Sequence, residues 1–420
     1  MKLLISSLQV SQSGSKGHLH PAIELALEAQ CRGWQVAMLP VPGTFGPQDQ
    51  RQLDRAGIDW IKPPLLPEGV LKSRSSLAEL TQNSQTNHLA YQSFLIDPLK
   101  YQFNGLIELL TQFNPDAVLY DLLVYGVPLA AQVAGIPAFG YCAGLKLLAQ
   151  DRLLQSYRQV QNRITNSMQQ FLTLNGLTAN FHYLEMLSAS GNYVFAPEAL
   201  SSHPTANFPL TLAGPLPVSD NRGDCHTDLC ELNNQFEIKG HPVVVSFGSV
   251  LDPYDYPDIC EIIFTVAQRY QRQILISSPQ FAHNKKLLPN HVVAMEYLPL
   301  PALLPQTSVF IHHGGANSFS EALYFGVPQI LIPLTNDQPI QGELLNNSKA
   351  GFSIAPADFS RQWLEHCLAC IFDPTDPVHN NIDRLKWLYQ QGDGPATVLN
   401  DITLCLQNAD SKSCSEERGA

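Results

Sequence analysis

A chain of 420 residues exceeds what one ordinary compact core holds, and its length favours two domains of roughly 150 to 200 residues each. Hydrophobic residues make up 45% and charged residues 15%, a balance that excludes disorder over most of the length. The formal net charge of -12 argues against nucleic acid as a partner, because phosphate binding needs a basic patch and the sequence shows none.

In chain order, KLLISSLQV reads as a buried strand, the polar stretch SQSGSKGH as a loop, and PAIELALEAQCRG as a helix closed by Gly33. QVAMLPV is the next strand and completes a βαβ unit. The pattern returns with DAVLYD, VPLAAQVAGI and PAFGYC, which together predict an open parallel sheet covered by helices. This first domain is read as residues 1–215. Within it, residues 60–110 and 143–190 are less regular and rich in Leu, Gln, Tyr and Phe, as insertions over the end of a sheet would be. A linker rich in Pro, Asp and Asn covers 216–240. A second sheet starts at HPVVVSFGS and continues through QILISS, HVVAMEY, VFIHH and PQILIPL, short β-branched runs separated by helical stretches. The second domain is read as 241–406, and the polar NADSKSCSEERGA as a flexible tail over 407–420. The fold class expected is therefore α/β, with two doubly wound Rossmann-like domains facing across a cleft.

The nine cysteines are odd in number and irregular in spacing, so reduced thiols are expected rather than a disulfide framework. Cys367 and Cys370 form a CxxC, but inside the apolar run WLEHCLACIF, which reads as core packing. Cys225, His226 and Cys230 lack a second ligand pair at zinc-like spacing, and no metal is expected. The amino terminus is too short in apolar residues for a signal peptide, and no stretch approaches the roughly 18 apolar residues of a membrane span. A cytoplasmic protein without a transmembrane segment is expected.

Two segments carry chemistry. VFIHHGGANSFSEAL is a strand, a glycine turn and a helix start. Small residues there let backbone approach a pyrophosphate, and a helix start offers unpaired N–H groups and the positive end of a dipole. His313, Asn317 and Ser318 add side-chain donors, although Asn317 and Ser318 equally read as a helix cap. The second segment, GSKGHLHP, offers two histidines, His18 and His20, as bases titrating near neutrality. Asp121 closes the strand AVLYD at the same sheet edge and suits the carboxylate that holds an imidazole tautomer. Asp116 begins that strand and reads as a turn residue on the far edge.

The stretch YLPLPALLPQTSVFIHHGGANSFSEALYFGVPQILIPLTNDQ, residues 297–338, resembles the donor-binding signature of GT-B glycosyltransferases, the family of plant secondary-product, antibiotic, macrolide and sterol enzymes. The amino-terminal loop, the GPL before the linker and the SFGS strand end match as well. The resemblance implies that His313, Gly315, Asn317 and Ser318 hold a nucleotide-sugar diphosphate, that Glu321 takes the ribose hydroxyls, and that Tyr297 stacks on the base. It places Asp337 and Gln338 on the sugar, a pair that goes with hydroxyl-rich, glucose-like hexoses, and Ser249 as a further donor contact. Capping is the alternative for Glu321, and a core position for Tyr297. His18 falls at the family's base position in GHxxP, where the related GSRGD loop has Asp; Asp121 matches the partner aspartate, and His20 is the spare.

The implied activity is inverting transfer of a hexose from a UDP- or dTDP-sugar to a hydroxyl of a small acceptor, with no cofactor beyond that cosubstrate. Metal independence is expected because no compact Asp-x-Asp triplet is present. Leu300 stands where many plant enzymes have Gln, which leaves uracil against thymine open. A catalytically silent nucleotide-sugar-binding auxiliary protein and a GT-B nucleotide-sugar epimerase are the competing readings, and the His18 and Asp121 pair argues against both. Tyr91, Phe94, Tyr101, Phe103, Phe181 and Tyr183 are candidates for an apolar or aromatic acceptor pocket, with ordinary core packing an equal explanation for each.

Overall fold

A computed structural model describes residues 1–8, 17–41, 45–70, 87–150, 153, 155–200, 208–218, 238–248, 251–335 and 337–417. In the amino-terminal half the strands are β1 (Lys2–Ser7), β2 (Gln35–Pro40), β3 (Ala117–Asp121), β4 (Ala138–Cys142), a small antiparallel pair β5 (Asn180–His182) and β6 (Glu185–Leu187), then β7 (Asn192–Val194) and β8 (Leu210–Leu212). Six of them form a parallel sheet in the order β2-β1-β3-β4-β7-β8. The carboxyl-terminal half has β9 (Val243–Ser246), β10 (Ile274–Ser277), β11 (Val292–Met295), β12 (Val309–His312), β13 (Gln329–Leu331) and β14 (Gly351–Ser353). They form a second parallel sheet, ordered β11-β10-β9-β12-β13-β14.

Strands buried on both faces read as unbroken apolar runs because helices cover each side. The two faces of β1 show this: Leu3 and Ile5 join the core under the helix Leu19–Cys31, whereas Leu4 joins the one under Leu99–Phe113. In the second sheet Val243 and Val245 face one cluster and Val244 the other.

In each sheet the order reverses beside the first strand, between β1 and β3 and between β9 and β12. Open α/β sheets bind ligands outside the carboxyl ends of strands at such reversals. β1 and β3 run in register with Ser6 beside Tyr120, so the loop leaving β1 and the end of β3 come out together. β9 and β12 pair Ser246 with His312, which brings Gly248 and His313 to one place.

Three regions differ from the sequence reading. Residues 60–110, expected to be irregular, contain the helix Asn87–Leu95 and most of the helix Leu99–Phe113. Residues 143–190, also expected to be irregular, contain the helix Gln155–Asn175. Its sequence is dominated by Gln, Asn and Ser, and among its described side chains only the stripe Val160, Ile164, Met168 and Leu172, spaced by four, is buried. At the carboxyl terminus one helix spans Gly394–Glu417, running through residue 406 into the segment expected as a tail. Its Val398, Leu399 and Ile402 pack on the first sheet's helix Leu19–Cys31, not on the second sheet. Arg32 secures the contact by donating to Asn400 Oδ1 at 2.8 Å and to the Ala396 carbonyl at 3.0 Å. The chain leaves the first sheet at Gly214 and Pro215 and returns to it at Gly394, whose N–H donates to the Pro215 carbonyl at 3.0 Å. A Cβ at Gly394 would lie 2.6 Å from the Gly214 carbonyl oxygen, so the two passages touch backbone to backbone.

Candidate active site

His18 is the N-cap residue of the helix Leu19–Cys31, where the loop from β1 rejoins regular structure. Its carbonyl accepts from the Ser7 hydroxyl at 2.8 Å, which ties the loop's end back to the end of β1. The ring reaches across the strand reversal, and His18 Nδ1 lies 2.5 Å from Asp121 Oδ2. The Asp121 side chain is 2% exposed and that of His18 is 25% exposed, so the carboxylate is sealed beneath an imidazole that keeps contact with the cleft. Asp121 Oδ1 accepts from the Leu123 N–H at 3.0 Å, which fixes the carboxylate's orientation. Burial acts to lower the His18 pKa, but the Asp121 charge and hydrogen bond outweigh it and hold the imidazole above its ordinary value. Lys146 lowers it and Asp337 raises it further. Asp116, at the other end of β3, accepts from the Lys2 N–H at 2.7 Å and stays a turn residue remote from this pair.

On the second sheet the helix Ala316–Phe325 starts after Gly315, its N-cap. The His313 ring lies between two glycines: a Cβ on Gly248 or on Gly315 would come within 2.8 Å of its atoms. Gly248 and Gly314 also have φ of 82° and 91°, a region that favours glycine. Burial lowers the His313 pKa to about 4, with Asp337 and a hydrogen bond to the Ser246 backbone opposing. His312, which the sequence reading did not single out, is buried deeper. Its Nε2 lies 2.9 Å from Gln329 Oε1 and its Nδ1 accepts from the Gly314 N–H at 3.2 Å, while its ring stacks on Phe310 at 4.3 Å. Burial and the neighbouring His313 bring its pKa to about 3. This neutral imidazole is a brace for the glycine turn.

The other donor-side residues gather around this turn to different degrees. Asn317 and Glu321 line a narrow cavity where the two halves meet, with Ala143, Gly144 and Leu145 opposite; Glu321 is buried and Ser318 half-buried. Asp337 precedes the helix Gln338–Ser348 and accepts from Gln341 Nε2 at 3.3 Å. Its carboxylate abuts the first half, since a Cβ on Gly144 would lie 3.0 Å from Asp337 Oδ2. Gln338 is buried, and its Oε1 accepts from the N–H groups of Leu334 and Thr335 at 2.7 and 2.8 Å, so that oxygen is committed to shaping the loop. Tyr297, beyond the carboxyl end of β11, is 55% exposed and is not a core tyrosine. Ser249 lies outside the described residues.

The first half adds a charged pair that the sequence did not reveal. Lys146, just after β4, sits 3.4 Å from Glu185 on β6, with both side chains largely buried. The β5–β6 pair is held against β3 and the start of the helix Gly126–Ala134 by the Tyr120 and Tyr125 hydroxyls, which donate to the Met186 and Leu184 carbonyls at 3.0 and 2.5 Å. Lys146 and Asp337 act electrostatically on both His18 and Tyr91, which brings Tyr91 toward the site. Of the other aromatic candidates, Phe103 is core and stacks edge-on with Phe171, and Phe181 meets Tyr125 in the same way. Tyr183 is buried, Tyr101 is 54% exposed on its helix, and the Phe94 side chain lies outside the described residues. Cys367 is a free thiol in the second core, as its apolar run predicts. The segment with Cys225, His226 and Cys230 lies outside the described residues. Among the described residues no helix is long and apolar enough to cross a membrane.

Two doubly wound sheets, one ending in a histidine–carboxylate pair and the other in a glycine turn and helix start, form the GT-B architecture. The chain has the GT-B fold and is homologous to macrolide, other antibiotic and sterol glycosyltransferases. Residues 262–385 match the family model of the erythromycin biosynthesis protein CIII-like C-terminal domain. The chain is 25% identical over 419 residues to the aclacinomycin-T 2-deoxy-L-fucose transferase of Streptomyces galilaeus, covering 89% of this chain and 90% of that one. It is 30% identical over 203 residues to the sterol 3-beta-glucosyltransferase of Arabidopsis thaliana, covering 46% of this chain. The match spans about a third of that relative's length, 31%. The crystal structure of the glycosyltransferase VinC in complex with dTDP superposes with a TM-score of 0.67 at 16% identity, covering 97% of this chain and all of that one.

Proposed function

We propose that the protein is an inverting glycosyltransferase that moves a hexose, glucose-like by preference, from a UDP- or dTDP-sugar to a hydroxyl of a small natural-product acceptor. The observation that carries this reading is the 2.5 Å contact of His18 Nδ1 with the sealed Asp121 carboxylate, at the edge that faces the helix start of the second sheet. With the Nδ1 proton donated to Asp121, the Nε2 lone pair is the base. An acceptor O–H gives its proton to Nε2 as its oxygen bonds to the anomeric carbon. The bond from that carbon to the diphosphate breaks, and the nucleoside diphosphate departs with the electron pair. Attack opposite the leaving group inverts the anomeric centre. Asp121 stabilises the imidazolium while it lasts, and the Gly315 turn and the start of the helix Ala316–Phe325 meet the charge growing on the diphosphate.

The domain roles follow: residues 1–215, completed by the helix Gly394–Glu417, bind the acceptor, 241–393 bind the donor, and 216–240 link them. Asp337 beside Gly144 supports a hydroxyl-rich sugar, since a carboxylate accepts from a diol, and the exposed Tyr297 supports stacking on a pyrimidine base. The first test is a thermal-shift panel with UDP, dTDP, GDP and ADP, run with and without a chelator. A nucleotide at 100 times its dissociation constant adds about 2.7 kcal/mol of stability. Stabilisation by UDP or dTDP, unaffected by the chelator, is expected; no shift with any of the four would favour the silent auxiliary protein, and loss on chelation would remove the metal-free mechanism.

A further inference from the structure

His20 is the second residue of the helix Leu19–Cys31, buried to 7% exposure among its apolar neighbours. Its Nδ1 and Asn317 Nδ2 are 3.1 Å apart. Asn317 is in turn the second residue of the helix Ala316–Phe325, so this bond joins the starts of two helices that belong to different sheets. An Asn amide presents a carbonyl at one end and two N–H groups at the other, and its partner decides which end faces which way. With Nδ1 as the acceptor, the amide nitrogen is turned toward His20. The ordering of that side chain is then complete before a ligand arrives, and the binding step is spared its cost. The bond also separates the two histidines of the loop chemically. His18 Nδ1 bonds a carboxylate, whereas His20 Nδ1 bonds an amide.

Resting on the nucleotide-sugar reading, we infer that His20 is a positioning residue for the donor: it holds the Asn317 amide in one orientation across the cleft and ties the diphosphate site to the helix turn that carries the His18 base. His20 acts through Asn317, so the two residues form one unit, and removing both costs no more than removing either.

The test is calorimetric titration of the full chain with UDP and with dTDP, without acceptor, for wild type, His20→Leu, Asn317→Ala, the double variant and His20→Gln. Each single variant is expected to weaken the better nucleotide about five- to tenfold, and the double variant to bind no more weakly than Asn317→Ala alone. His20→Gln, whose amide oxygen can accept the same hydrogen bond, is expected to recover most of the affinity. If the leucine variant does not fold, His20→Met supplies the same comparison. Losses that add in the double variant, or a folded His20→Leu with wild-type affinity, would overturn the inference while leaving the donor reading intact. Failure of the wild-type chain to bind either nucleotide would instead remove the donor reading itself, and this inference with it.

Discussion

His18 and His313 stand beyond the carboxyl ends of strands at the two sheet reversals, yet their surroundings drive them apart. His18 has a carboxylate beneath it and is held above its ordinary pKa. His313, wedged between Gly248 and Gly315, is held down at about 4 by burial. One imidazole is therefore poised to take a proton, and the other stays neutral and serves as a fixed polar wall. Fold symmetry supplies two similar edges, and the nearest charge decides which imidazole is held ready for a proton, as the proposed base must be.

Substitutions on either side should break this contrast in different ways. His18→Ala should cut transfer by about a thousandfold, within the range for loss of a general base, with UDP or dTDP affinity in calorimetry unchanged; retained turnover would end the base assignment. Asp121→Asn should lower kcat by about a hundredfold or more through the lost tautomer control. It should also shift the acidic limb of the pH–rate profile to lower pH. The sign follows from protonated His18 being inactive: in wild type its raised pKa places that limb above the ordinary 6.5, and losing Asp121 leaves burial and Lys146 to lower it.

Lys146→Met should act oppositely and move the acidic limb upward, because Lys146 opposes protonation of His18. By stranding Glu185, which is 3% exposed, it should also cost about 3 kcal/mol in denaturant unfolding. Gly315→Ala, which pushes a methyl against the His313 ring, should weaken nucleotide binding about tenfold, or about 1.4 kcal/mol, while the pH profile of transfer stays in place. A shifted profile in that last variant would show that the two edges are not electrically separate.

The parts legible in the sequence are those fixed by local pattern. The strands around KLLISS, AVLYD, VVVS and VFIH announce themselves because burial on both faces demands unbroken apolar runs. A polar residue ending such a run, as Asp121 does, is placed at a sheet edge by that fact alone. β7, β8 and β14, three residues each, carry too little pattern to stand out, and the helix Gln155–Asn175 hides a four-residue apolar stripe among amides. Least legible are the pairings made only by tertiary packing. His20 meets Asn317 across 297 positions and Lys146 meets Glu185 across 39, and neither partner hints at the other. The double histidine at the end of β12 was a visible signal, but which ring braces and which faces the glycines depends on strand alternation.

The helix Gly394–Glu417 sets an order of assembly. The core under β1 includes Val398, Leu399 and Ile402, so β1 is completed only by residues made after the whole of the second sheet. Among the described residues, the core containing Val243 and Val245 draws on nothing beyond Phe372. At about 5 to 20 residues per second, β1 waits roughly 20 to 80 s for its final cover, and the second sheet is the one able to close first.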